Sequence, residues 1–308
     1  VMSYPVALPF AWLSPVTNSC KDAANGETVA TTASLSCCTN MRAPSRAGRR
    51  TIRHLKQSLS QRDLAVLRSV ELYRYLTARQ IEDLHFYDHT SPLTGARTCR
   101  RVLERLSGVG ALMRLERRVG GIRAGSASYI YGLGSVGQRV LHQGDAARVR
   151  RREPSLTFID HTLAISQLAV DITVISRLDL VDLLELTPEP ACWRSFQRGM
   201  EGNEVLKPDL AVAIRAGGYH YHWFVEVDLG THSSTSVVRK CRMYQDYCCS
   251  GIEQNTHNLF PKVLWVAPTA RRAEQMLRAI SAAHGLYENL FDVTTSDEAV
   301  CHMVGVKP

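Results

Sequence analysis

The sequence predicts an α/β (α+β overall) chain in two parts: helices closed by a two-stranded ribbon first, then a mixed sheet flanked by helices. Three observations predict this. The apolar residues keep a helical period from Ser60 to Leu106 and then break into short runs punctuated by glycine. Tyr219 to Asp228 alternates strictly after Gly217-Gly218, the strongest short-range hairpin signal a sequence carries. The charge also divides: Arg49 to Arg152 holds 21 Lys/Arg against 8 Asp/Glu, a net of +13, while Glu153 to Pro308 holds 13 against 19, a net of −6. At 308 residues, 45% hydrophobic and 21% charged, the chain is globular in composition and long enough to bury two cores.

In the first part Ser60 and Asp63 have the spacing of a capping box, with Leu64, Leu67 and Val70 continuing an apolar face. Thr77 caps a short helix from Ala78 to about Phe86 that carries Ile81 and Leu84. A third helix, about Thr94 to Leu106, has the stripe Cys99, Val102, Leu103 and Leu106. Ala111 to Arg118 and Ser128 to Leu133 read as two strands around a glycine-rich turn, and Val136 to His142 as a closing helix. Three helices and then a two-stranded wing is the order of a winged helix-turn-helix. The expected division is a tail over 1–50, the winged helix over 51–147, and an α/β domain over 148–308 that opens with an arginine-rich linker, 148–156.

On the third helix Arg97 and Arg101 lie opposite the apolar stripe, with Arg100 and Arg105 on its shoulders, and the wing adds Arg114, Arg117, Arg118 and Arg123. Arginines so placed reach phosphates and base edges when such a helix enters the major groove, which makes double-stranded DNA the expected partner. Two other readings stay open, a solvated basic face and a winged helix that binds protein. A homodimer through either part also stays open.

The second part brings acids together. A long helix is expected over about Ile159 to Ser176, a helix over Ser234 to Cys249, a buried strand over Lys262 to Ala267 and a helix over Ala270 to His284. If Gly217-Gly218 is the turn, Ala216 faces Tyr219 and Asp209 stands directly across from Glu226. Opposed like charges repel, so a cation sits between them, or one carboxylate is protonated, or one turns to water. Carboxylates on adjoining strands suit Mg²⁺, which takes hard oxygen ligands; Asp209, Glu226 and Asp228 are the candidate ligands. Lys240 and Tyr244, on one face of the following helix, are the candidate catalytic pair.

This arrangement resembles the PD-(D/E)XK nuclease superfamily, with Pro208-Asp209 as the first acid and Glu226 as the second. Asp228 stands where that motif carries its lysine, and Lys240 is the replacement the resemblance offers. Over roughly Ser60 to Ala267 the order of pieces resembles the replication-relaxation family of actinobacterial plasmids and integrative elements. The matching pieces are the His161-Thr-Leu-Ala helix start, Lys207-Pro-Asp, Phe224-Val-Glu-Val-Asp-Leu-Gly-Thr231, and Lys240 with Tyr244. The resemblance implies a DNA-binding protein of a mobile element with a nuclease-like second domain. It leaves two functions to separate: a factor that binds without turnover, or a Mg²⁺-dependent endonuclease.

Nine cysteines without regular spacing fit reduced thiols and a cytoplasmic setting. No apolar run is expected to cross a membrane, and the proline-broken Tyr4 to Val16 lacks the pattern of a signal peptide. Val1-Met2 is what a GTG start codon, read literally, would leave. His220 and His222 share a strand face with Glu226, but as a pair near a turn they read as exposed surface. His161 reads as a packing or capping residue. Cys248 is expected to extend the buried stripe Val237, Cys241, Tyr244. Gly132 to Gly137 lacks the βαβ context of a nucleotide fingerprint.

Overall fold

A first helix, not expected from the sequence, spans the boundary between the expected tail (1–50) and the expected winged helix (51–147). The computed structural model describes residues 49–115, 129–142, 154–197 and 202–305. The tail before residue 49, most of the expected linker, and Arg117, Arg118 and Arg123 lie outside these residues. Helix α1 (Arg49–Ser58) escapes sequence reading because only Ile52 and Leu55 are apolar within it. Ile52 is buried in the core of the N-terminal half and Leu55 packs against that core. Helix α2 (Gln61–Leu72) begins with a reciprocal capping box: Ser60 Oγ accepts from the Asp63 amide at 3.1 Å and Asp63 Oδ2 from the Ser60 amide at 2.8 Å. Strand β1 (Tyr75–Thr77) leads into α3 (Ala78–His85), where Thr77 and Gln80 form a second capping box. Helix α4 (Pro92–Gly108) has Ser91 as its cap and proline in its first turn. Strands β2 (Leu112–Leu115) and β3 (Ile130–Leu133) join β1 in a three-stranded antiparallel sheet, order β1-β3-β2, and α5 (Ser135–Leu141) follows.

One half-buried histidine should give this half a pH dependence. His85 Nε2 lies 2.9 Å from Ser69 Oγ, and burial, helped by the Arg177 and Arg62 charges, lowers its pKa from 6.5 to about 4. The folded ring stays neutral where the unfolded ring is protonated. Its share of the stability is therefore present above pH 6.5 and lost as the pH falls toward about 4. Urea midpoints should fall across that window in the wild type and fall less in His85→Gln. Equal losses in the two proteins would contradict this.

Helix α6 (Leu156–Arg177) opens at Ser155, whose hydroxyl accepts from the Phe158 amide at 3.2 Å. It is apolar almost all round, and by length and composition alone it could cross a membrane. Its two sides belong to two protein cores instead. Ala169 and Val170 belong to the core of the N-terminal half, where α6 lies against α3 and β1, while Ile165, Leu168 and Ile172 pack under the sheet described next. Polar contacts fix the docking: Gln80 Nε2 donates to Leu163 O at 3.1 Å, and the Arg177 guanidinium donates to Asp83 O and Leu84 O at 2.6 and 2.7 Å. The halves expected as separate domains therefore share a wall, and the described residues belong to one compact unit.

Strand β4 (Asp182–Pro188), a ribbon of β5 (Arg194–Gln197) and β6 (Asn203–Leu206), β7 (Leu210–Ala216) and β8 (Tyr219–Val227) come next. They are followed by α7 (Ser234–Ser250), α8 (Ile252–His257), β9 (Lys262–Ala267), α9 (Ala270–Ser281), β10 (Phe291–Thr295) and α10 (Ala299–Met303). The five-stranded sheet has the order β10-β9-β8-β7-β4; β4, β7 and β8 run antiparallel to their neighbours, then β8, β9 and β10 run parallel. This is the mixed α/β class the sequence predicts. Gly217 and Gly218 turn the hairpin at φ +56° and +83°, values that glycine adopts without strain. Pairing runs from Ala216↔Tyr219 to Leu210↔Val225, so the next step sets Asp209 beside Glu226 as the alternation requires. One sheet face packs Val212, Ile214, Val225 and Val227 against α6 and α10. The other packs Phe224, Val263 and Trp265 against α7 and α9.

Candidate functional site

The acids cluster where β8 ends. Glu226, the penultimate residue of that strand, points into the layer under α7 and is only 2% exposed. Ser233 caps α7 by accepting from the Ser236 amide, and this sets Lys240 and Tyr244, one turn apart, over the strand end. Lys240 Nζ donates to Glu226 Oε2 and Tyr244 OH to Glu226 Oε1, so each carboxylate oxygen has a donor. Burial raises the Glu226 carboxyl to about 7 against the pull of Lys240. Burial also pulls on the ammonium, but the charges of Glu226 and Asp209 with the Glu226 hydrogen bond outweigh it, and Lys240 stays above its ordinary value. The Tyr244 hydroxyl, fully buried against the same carboxylate, is held well above 10.0.

Asp209 answers the repulsion differently. Its Oδ2 accepts from the Val227 amide at 2.7 Å and lies 3.3 Å from His161 Nε2. That nitrogen is also 3.0 Å from Val227 O, and two acceptors around one ring nitrogen mean that it carries the proton. The Asp209 hydrogen bond raises the His161 pKa. Of the alternatives the sequence left open, Lys240 is the cation at Glu226, and Asp209 turns to the backbone and an imidazole. His161, expected to pack or cap, belongs to the cluster.

Asp228 does not join Asp209 and Glu226, which corrects the expected set of three acids. The strand ends at Val227, and the alternation that would align Asp228 with Glu226 ends with it. Asp228 instead has its own partners: Arg272 Nε at 2.6 Å, the Gly230 amide at 3.0 Å and His232 Nδ1 at 2.9 Å. Burial would raise this carboxyl, but the Arg272 and His232 hydrogen bonds overcome it and hold the pKa below the usual value. Sequence reasoning missed Arg272 and His232. It also missed Glu189, whose amide donates to Asp209 O at 3.0 Å and whose carboxylate takes Arg74 at 3.1 Å. The Asp228-x-x-x-His232 spacing was a usable signal, whereas nothing local announces Arg272. His220 and His222 stack on each other near the turn, with ring centroids 6.4 Å apart. The buried stripe of α7 continues through Tyr247 rather than Cys248.

These residues do not fit a magnesium ion. Mg²⁺ needs ionised oxygens with lone pairs free to converge on it. Both Glu226 oxygens and Asp209 Oδ2 already accept hydrogen bonds, and Asp228 is held elsewhere. Among the described residues no group of three or more His, Cys, Asp or Glu side chains is arranged to hold a metal ion.

In the N-terminal half Arg97, Arg100 and Arg101 are exposed on α4, across from buried Cys99, Leu103 and Leu106. Arg100 Nε turns back to Ala96 O at 3.3 Å. Arg105 is committed to Asp63 at 2.6 Å, and Arg114 lies over the Tyr129 ring at 4.6 Å. Arg97 and Arg101 make no ion pair among the described residues.

No curated protein and no solved structure matches the chain. The family model for replication-relaxation matches residues 67–263, more than half of the chain, from the middle of α2 into β9. The stretch takes in α4 with its arginines and the whole acidic cluster except Arg272. The chain belongs to the replication-relaxation family, whose role is in the replication or relaxation of plasmids or mobile elements and involves DNA.

Proposed function

We propose that the protein binds double-stranded DNA of a plasmid or other mobile element without cutting it. In this reading the N-terminal half is a winged helix-turn-helix that presents α4 to the major groove, and the other half is a nuclease-like domain that holds rather than hydrolyses the duplex. The observation that carries it is the outer face of α4. Arg97 and Arg101 stand there without acidic partners among the described residues, on the side opposite the buried stripe, where a helix entering a groove keeps its cations. The succession of α2, β1, α3, α4 and two further strands supports the winged-helix reading. The pairing of each acid with basic side chains supports the non-catalytic half, since a hydrolytic centre needs a group free to activate water. A cytoplasmic site of action is part of the proposal.

Fluorescence anisotropy with a duplex probe over a salt series tests it. Arg97→Glu with Arg101→Glu should weaken binding and reduce the slope of log K against log salt by about 2. An unchanged slope would remove α4 from the interface. Supercoiled plasmid incubated with Mg²⁺ or Mn²⁺ tests the other half. No nicking is expected, and metal-dependent nicking that disappears in Glu226→Ala would overturn the non-catalytic reading.

A further inference from the structure

We infer that the acidic centre of the α/β half is built around its own cations, with the Lys240 ammonium at Glu226 in the place a divalent ion would take. Three carboxylates lie around the ends of β4, β7 and β8, each with a basic partner: Glu226 with Lys240, Glu189 with Arg74 and Asp209 with His161; Asp228, apart from them, is held by Arg272 and His232. A site that binds Mg²⁺ or Mn²⁺ carries surplus negative charge, because the ion must be compensated for its lost hydration. Here each of these carboxylates faces a basic side chain of its own.

The donors around Glu226 lead to the same conclusion. Glu226 accepts one hydrogen bond on each oxygen, and the second donor, Tyr244 OH, belongs to a residue 0% exposed. An entering ion would have to displace a half-buried ammonium and strip a buried hydroxyl of its acceptor. Lys240 is held for this role by α7, whose buried face at Val237, Cys241 and Tyr244 fixes the helix rotation. The acids of this centre, gathered at one sheet end as in a metal-dependent nuclease, are thus organised without a metal. Removing Lys240 alone would leave Glu226 Oε2 open beside Asp209 and uncover a divalent-ion site.

The test is Mn²⁺ binding to the full chain, read from the loss of the free-ion paramagnetic resonance signal. It requires neither DNA nor turnover, so its result is separable from the DNA-binding proposal. Wild type and Glu226→Gln should bind Mn²⁺ equally. Lys240→Met should gain one site at least about tenfold tighter than any in the wild type. The gain should vanish in Lys240→Met with Glu226→Gln. A folded Lys240→Met that gains no site would overturn the inference, as would wild-type binding about tenfold tighter than that of Glu226→Gln. If Lys240→Met does not fold, wild-type melting in Mn²⁺ against Na⁺ at matched ionic strength decides. No difference upholds the inference; a rise in Mn²⁺ that Glu226→Gln lacks overturns it.

Discussion

Glu226→Ala is expected to lower the unfolding free energy by about 3 kcal/mol, the low end of the range for breaking a buried ion pair. The mutation removes the acceptor from two donors at once. Tyr244 OH is left in a fully buried position without a partner, and Lys240 loses its counter-charge. The figure stays at the low end because 31% of the Lys240 side chain remains exposed and can recover hydration. Denaturant titration measures it, with Glu226→Gln as the control that keeps the volume and one acceptor. A loss in Glu226→Ala no greater than in Glu226→Gln would mean that the two donors find water unaided.

Arg272→Ala is expected to cost more, about 3 to 5 kcal/mol. Its partner Asp228 has a side chain 0% exposed, and Arg272 itself is only 13% exposed, so the carboxylate keeps only the His232 and Gly230 donors when the guanidinium is gone. Arg272 also donates to His232 O at 2.6 Å, which pins the turn between β8 and α7. The loss should be largest at neutral pH, where Asp228 is ionised. Combining Arg272→Ala with Asp228→Asn should recover a large part of it, because the uncompensated charge then leaves with its partner. A double variant as unstable as Arg272→Ala alone would show that the guanidinium acts by packing and not by charge.

What was legible in the sequence follows from how local each cause is. The hairpin was legible to the residue, because Gly217-Gly218 and strict alternation fix one register and the burial of one face forbids a slip. The capping boxes at Ser60 and Thr77 marked helix starts that the structure keeps. Strand β4 was not legible: its register shifts between Leu183 and Glu185, which breaks the alternation, and as an edge strand it leaves Leu184 exposed. Within the site, Asp209, Glu226, Lys240 and Tyr244 were found because a strand register and a helical turn place them. Arg272 was not, since its contact with Asp228 spans 44 residues and depends on how α9 lies on the sheet. Asp228 was misassigned for a related reason, a period of two carried one residue beyond the strand that enforces it.

Helix α6 makes the molecule hard to divide. A fragment ending ahead of Ser155 would leave the N-terminal half without Ala169 and Val170, exposing an apolar flank where it should be closed. A fragment beginning there would keep the sheet's cover but bare the helix's other side. Neither piece is a finished object, and heat should dismantle the two in a single event.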